Sequence, residues 1–386
     1  LNRISFIVSV VTIVVMAPIL RAQSDCAPVP GRSPLWCPST NLLLYAVEGK
    51  SSDSRTWRVL DPVTGDEDTV FFGRNIAPSW SSDGKNIAWQ KDGTICVLSR
   101  NGVKTEISTP LAAVESLSWF PDGNRLLYAG DGRIMLYDFE KKKNSSIASG
   151  RRPTALAGGA GLVYADDDYH LNAINAAGAS EALVEQVDEF VLSGDRSVLA
   201  ALQSSPIRFV LMDMSTRATS FYTPPGNVSG FCLDRTGRRL YYGLIGKGVV
   251  MVDRFTGQEK TVSADGLFPS VSADAGFLFY ERADGSGCVV KLGRERSSVQ
   301  LVRISLGSKD NALPGEVVRF FEEKVNPVSG EVTGYDGSRP KGQGKILMVF
   351  GGYSFVEMDK PGRIEVGDAV VSSGRETTAA VLGLEE

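Results

Sequence analysis

Residues 77–89 read APSWSSDGKNIAW, and residues 115–128 read ESLSWFPDGNRLLY. The two segments share one grammar. A Trp (Trp80, Trp119) is followed three and four residues on by Asp-Gly (Asp83 and Gly84, Asp122 and Gly123), and nine residues on by a second aromatic (Trp89, Tyr128). Asp-Gly between apolar runs is a hairpin signal, because Gly takes positive φ without steric cost and Asp accepts hydrogen bonds from the backbone just ahead of it. A third strand-like run follows each hairpin, at 94–98 (TICVL) and 133–137 (RIMLY), and a fourth comes after another turn.

The plus-nine spacing extends in both directions. Trp36 pairs with Tyr45, Ala155 with Tyr164, Val191 with Ala200, Leu233 with Tyr242 and Val271 with Tyr280. The anchors therefore stand at 36, 80, 119, 155, 191, 233 and 271, at intervals of 36 to 44 residues. A period of about 40 residues with four short strands per unit is the signature of a β-propeller blade. The expectation is an all-β chain with a seven-bladed propeller, or a six-bladed one if one of the weaker units is a connection. A small C-terminal β-domain follows it. The anchor Trp residues are expected to pack between neighbouring blades. Asp83 and Asp122 are expected to fix their turns, since a residue that recurs by fold position is not a catalytic carboxylate.

Residues 80–89 (WSSDGKNIAW) and 119–128 (WFPDGNRLLY) resemble the core of TolB-like (WD40-like, PD40) propeller repeats. The outer halves of the units, 57–72 (WRVLDPVTGDEDTVFF) and 249–262 (VVMVDRFTGQEKTV), resemble the strand, Thr-Gly turn and strand that end such blades. The resemblance spans about residues 33–306. It implies an exported propeller in the bacterial cell envelope, with envelope proteins or peptides as partners.

The N-terminus is read as a signal peptide over 1–23. Arg3 precedes a 17-residue uncharged run at 4–20, and Leu20 and Ala22 occupy the −3 and −1 positions of a cleavage site. The protein is then periplasmic. The alternative is an inner-membrane anchor formed by 4–20, the only contact with a membrane that the sequence suggests. Export permits disulfides. Of the five Cys residues, Cys26 and Cys37 share a Pro-rich segment and could pair, while Cys96, Cys232 and Cys288 lie in strand-like runs.

The propeller is assigned to 24–306, a polar linker to 307–315 and a small barrel-like domain to 316–386. Residues 316–324 (EVVRFFEEK) are compatible with a helix or a strand. Strand-like runs follow at 345–350, 353–358, 368–372 and 377–384. The stretch 344–371 resembles the small β-barrel of flagellar assembly protein T.

The charge bears on partners. The net charge is −4, and the tail after residue 308 carries nine basic and thirteen acidic side chains, which accounts for all of it. Nothing here supplies the basic excess that a nucleic-acid partner requires. A single His (His170) excludes multi-histidine metal sites, and no cofactor is implied. His170 follows three carboxylates, Asp166, Asp167 and Asp168, in a hairpin turn. Gly351 to Phe355 only approaches the G-x-S-x-G serine-hydrolase motif. The function expected is a non-catalytic interaction scaffold with its partner on one propeller face. The alternative is a hydrolase or lyase using polar groups in the channel, for which Arg208, Asp213, Tyr222 and Asp253 are the candidates.

Overall fold

The computed structural model describes residues 26–49, 55–73, 78–159 and 161–292, and most positions from 301 to 385. The segment read as a signal peptide lies outside the described residues. Among those described, no helix is long and apolar enough to cross a membrane. The described residues form seven four-stranded antiparallel sheets, a closed six-stranded barrel and one two-stranded ribbon. Each of the seven anchors closes or nearly closes the first strand of its own sheet: Arg32–Trp36, Ser79–Trp80, Ser116–Trp119, Arg151–Ala155, Glu189–Leu192, Val228–Leu233 and Gly266–Val271. These first strands adjoin those of neighbouring sheets, so they line the axis and the sheets radiate as blades. The propeller has seven blades, and the six-bladed alternative is set aside.

The second strand of a blade lies deepest. Leu43–Glu48, Arg125–Gly130 and Arg239–Leu244 are buried over most of their length. Both faces are covered by adjacent blades, so the sequence shows continuous apolar runs instead of strict alternation. The plus-nine aromatics Tyr45, Tyr128, Tyr242 and Tyr280 are at most 1% exposed. The core is thus divided among the inter-blade interfaces. Trp36, Tyr45, Phe277 and Phe279 fill the junction of blades 7 and 1, and Trp57, Phe71, Trp80 and Trp89 that of blades 1 and 2. The three anchor Trp residues also tie the ring by hydrogen bonds. Trp80 Nε1 donates to Leu35 O (3.2 Å), Trp119 Nε1 to Ser79 O (3.2 Å) and Trp36 Nε1 to Ser270 O (2.9 Å). In each case the acceptor is the residue just before the anchor of the preceding blade.

The ring closes through its N-terminus. Blade 7 takes three strands from its own repeat, Gly266–Val271, Phe277–Arg282 and Gly287–Lys291, and its outer strand from Cys26–Val29. Cys26 stands opposite Val290 and Val29 opposite Gly287. A disulfide joins Cys26 to Cys288 across 262 residues of sequence. This corrects the expected pairing of Cys26 with Cys37. Cys37 follows the innermost strand of blade 1 and is a buried free thiol, whereas Cys26 lies on the outer rim of blade 7.

The C-terminal boundary is also corrected. The strand Leu301–Ile304, which the sequence reading placed in the propeller, pairs with Ser354–Met358 and Thr378–Glu385 and belongs to the barrel. Its inward residues Val302 and Ile304 join Val318, Phe320, Ile346 and Val356 in a core sealed from water. Residues 316–324 are strand: Val317–Phe321 in the barrel and the start of Glu323–Val325 in the ribbon.

Two outcomes follow from the closure. Cys288→Ser, or reduction of the wild type, is expected to lower unfolding free energy by about 3–5 kcal/mol, since the bond closes a very long loop; denaturant titration with and without reductant measures it. Trp80→Phe, which keeps an aromatic ring but loses the N–H donor and part of the buried indole, is expected to cost about 1–3 kcal/mol. Trp80→Ala is expected to cost about 3–5 kcal/mol.

Candidate functional site: the axial channel

Three first strands open with the same short phrase: Gly31 to Pro34 (GRSP), Gly150 to Pro153 (GRRP) and Gly266 to Pro269 (GLFP). In each, the residue before Pro has positive φ, namely Ser33 (57°), Arg152 (51°) and Phe268 (48°). Each also sits in a break of register with the second strand. Pro has no N–H for the ladder, so a bulge there leaves no donor unpaired. The Gly that opens the phrase is a matter of space. A Cβ on Gly31 would lie 2.4 Å from Ala46 O and from the Tyr45 ring, and one on Gly266 would lie 2.6 Å from the Tyr280 ring. A residue before Pro normally prefers extended backbone, so these left-handed positions are strained. The bulges place Ser33, Arg152 and Phe268 at one mouth of the channel.

Glu189 opens the first strand of blade 5 beside them. Crowding around its carboxyl raises the pKa, and the Arg152 charge pulls the other way. Arg152 also donates from Nη1 to Asp188 O (3.4 Å). Phe268 is 47% exposed. On the same face, Tyr169 carries the Arg151 guanidinium 4.7 Å above its ring, and Arg151 also reaches the carbonyls of Asp166 and Asp167. Ile245, at the second-to-third-strand turn of blade 6, is largely exposed. The mouth therefore has a charged sector on blades 4 and 5 and an apolar sector on blades 6 and 7.

The opposite end is occupied by Arg196, in the first hairpin turn of blade 5. Its Nη1 donates to Ala155 O of blade 4 (3.0 Å), and its Nη2 to Trp119 O of blade 3 (3.1 Å) and to Ser82 Oγ of blade 2 (3.1 Å). Blades 5 and 2 lie nearly opposite in a seven-membered ring, so this side chain crosses the axis. Burial pulls its pKa down while the Asp122 charge opposes the shift. Nothing in the sequence marked Arg196 beyond its place in a degenerate repeat.

The repeated carboxylates hold turns. Asp83 Oδ1 accepts from Ser81 Oγ (2.6 Å) and from Lys85 N (3.0 Å). Asp195 and Asp274 repeat the arrangement with Ser193 and Ser272. Asp122, which follows Phe120 instead of Ser, accepts from Asn124 N and pairs with Arg125 (2.7 Å). Gly84 (φ 68°) and Gly123 (φ 70°) complete these turns, and a Cβ on Gly84 would strike Ser39 Oγ of blade 1 at 2.2 Å.

The four residues considered for channel chemistry do not converge on the axis. Arg208 and Asp213 bound most of the third strand of blade 5 (Ile207–Asp213). Tyr222 ends its fourth strand (Thr219–Tyr222), and Asp253 ends the third strand of blade 6 (Gly248–Asp253). Asp213 and Asp253 accept backbone N–H groups of their own turns, and Asp253 also pairs with Arg238 (2.8 Å). The Tyr222 hydroxyl donates to Glu259 and lies 2.9 Å from that of Tyr242. Burial, followed by these two contacts, drives its pKa far up. Asp166 likewise fixes the turn before His170, accepting from the His170 and Asp168 N–H groups. Ser354 is fully buried in the barrel. Among the described residues no group of three His, Cys, Asp or Glu could hold a metal ion.

No protein-family profile matches this sequence, and no curated protein matches it. Solved structures do. A chain of the mitotic checkpoint complex superposes with TM-score 0.56 at 13% identity, covering 76% of this chain and 99% of that one. The β-propeller domain of Myceliophteria thermophila Cps50 (Swd1) gives TM-score 0.55 at 12% identity, covering 69% and 99%. Kuenenia stuttgartiensis hydrazine synthase gives 0.52 at 14%, covering 71% and 99%. At such identities the likeness establishes the β-propeller fold.

Removing Arg196 leaves carbonyls of two first strands without their charged donor. Arg196→Met is expected to cost about 2–4 kcal/mol, while Arg152→Ala at the open mouth stays within about 0.5 kcal/mol; thermal and denaturant unfolding distinguish them. Burial would raise the carboxyl pKa of Asp83 and Asp274, but hydrogen bonds from Ser81 and Lys85 in one case and Asn41 and Gly276 in the other hold both below the ordinary value. Their contribution is complete above the unfolded pKa, about 4, and is lost as pH falls through the folded values. The melting temperature is expected to drop on acidification below about pH 4, with a shallower fall in the Asp83→Asn, Asp274→Asn double variant.

Proposed function

We propose that this chain is a non-catalytic interaction scaffold of the TolB-like type, exported to the bacterial periplasm. It holds an envelope protein or peptide on the propeller face bearing the channel mouth. The observation that carries the reading is the asymmetry of the axis. Arg196 spans the end at the first hairpin turns, while the other end presents Phe268, Arg152 and Tyr169 to solvent on a rigid ring. Strained, solvent-facing side chains on a fixed frame suit recognition, because little entropy is lost in ordering them. Export is supported by the uncharged run at 4–20 and by the Cys26–Cys288 disulfide, a bond that persists in oxidising compartments. The barrel, which resembles that of flagellar assembly protein T, is a second contact surface.

Site-specific photo-crosslinking in cells tests this. A crosslinker at Tyr169 or Ile245 is expected to capture envelope proteins, and Phe268→Asp with Arg152→Glu to abolish capture while leaving the fold intact. Capture of cytoplasmic proteins alone, or capture indifferent to the two substitutions, would overturn the reading.

A further inference from the structure

A second site lies on the opposite face, in the cleft between blades 2 and 3. Its volume is about 220 Å³. One wall is Val97 and Val103 of blade 2. The other is Phe139 of blade 3, with Trp119 at the base and Thr105 and Asn124 as polar lining. Phe139 is held in place from two sides. It stacks on Trp119 (centroids 5.3 Å apart, 9° between planes) and meets the Tyr137 ring edge-on (5.0 Å, 88°). Val103 is 58% exposed, at a turn that needs no apolar residue to form. A preformed aromatic wall facing an exposed aliphatic one is a receptacle for a single large apolar side chain.

The surrounding charge narrows the occupant. Four local carboxylates are paired with cations: Asp138 with Lys141 (2.9 Å), Glu106 with Lys104 (2.8 Å), Asp122 with Arg125 (2.7 Å) and Asp83 with Lys85 (3.3 Å); Glu140 accepts from the neutral Asn124 amide (3.3 Å) and keeps its charge. Arg100 directly follows the cleft residue Ser99, and Lys142 and Lys143 follow Phe139 three and four residues on; all three are exposed. None of the three has an acidic partner among the described residues. The cleft is thus apolar inside and flanked by a net excess of positive charge: among the described residues, three free cations against the one carboxylate of Glu140.

We propose that this cleft binds a short acidic linear segment of a partner protein. One Leu or Phe of the segment seats between Val103 and Phe139, and flanking Asp or Glu side chains meet Arg100, Lys142 and Lys143. A bare polyanion would leave the apolar walls empty, and an uncharged apolar peptide would leave the cations unmatched. The site is independent of the channel mouth, and two faces that each hold a segment would let one propeller join two partners.

The test uses the full chain and three labelled hexapeptides in fluorescence anisotropy: Asp-Asp-Leu-Phe-Glu-Glu, the same core flanked by Lys, and the same acidic flanks around Ser-Ser. Saturable binding of the first at least tenfold tighter than of the other two is expected. Val103→Asp, and separately Lys142→Glu with Lys143→Glu, are expected to weaken it at least tenfold. All three residues are exposed, so unchanged melting curves will certify the fold. Phe268→Asp at the mouth is expected to leave this binding unchanged, which separates failure here from failure of the mouth reading. No saturable binding, equal binding of the Ser-Ser peptide, full competition by a single-stranded oligonucleotide, or indifference to Val103→Asp would each overturn the proposal.

Discussion

A stack of blades becomes a ring only if its two ends are joined, and here one strand does this. Cys26–Val29 supplies the outer ladder of blade 7, and the Cys26–Cys288 bond makes the join covalent. Everything at the axis depends on it. The seven first strands can face one another around a channel only while the circle is complete, and with it the positions of Arg152, Glu189, Phe268 and Arg196. The Trp36 indole adds a second tie at the same junction, from blade 1 to Ser270 of blade 7.

Around the circle the inter-blade ties are unequal. Blades 1 to 3 have Trp anchors, each donating an N–H to the preceding blade. Blades 4 to 7 have Ala155, Val191, Leu233 and Val271 at the same positions, and none of these side chains can donate. Arg196 supplies a different tie on blades 3 and 4. Its guanidinium bonds to the carbonyls of Ala155 and Trp119 and reaches Ser82 beyond them. One long cation in the degenerate part of the repeat thus takes over a tying role that an indole performs elsewhere, and in doing so it spans one end of the channel.

Much of the fold was legible because a blade is local. The Asp-Gly hairpin, the anchor and the plus-nine aromatic lie within ten residues, and their physics needs no distant partner. The seven anchors head seven sheets for that reason. The Gly-x-x-Pro phrase before three anchors was equally visible as a repeat, and it marks the bulges that carry Ser33, Arg152 and Phe268. It passed unread because its meaning lies in a strained φ and a close approach to a Tyr ring, neither of which has a composition. The Cys pairing and the barrel boundary were misread for a different reason. Nearness in sequence favoured Cys37 over Cys288, and Leu301–Ile304 reads as one more strand at the end of an array of strands.

By itself the sequence determined the all-β class and the period of about 40 residues, because each rests on contacts within one repeat, and it left the number of blades at six or seven. Only the tertiary structure decided which strand closes the ring, which Cys partners Cys26, and which side chains meet at the axis. It also decided that Arg208, Asp213, Tyr222 and Asp253 stay apart. These are relations between residues separated by tens to hundreds of positions. A circular arrangement sets them by angle around an axis, a quantity that spacing along the chain does not carry.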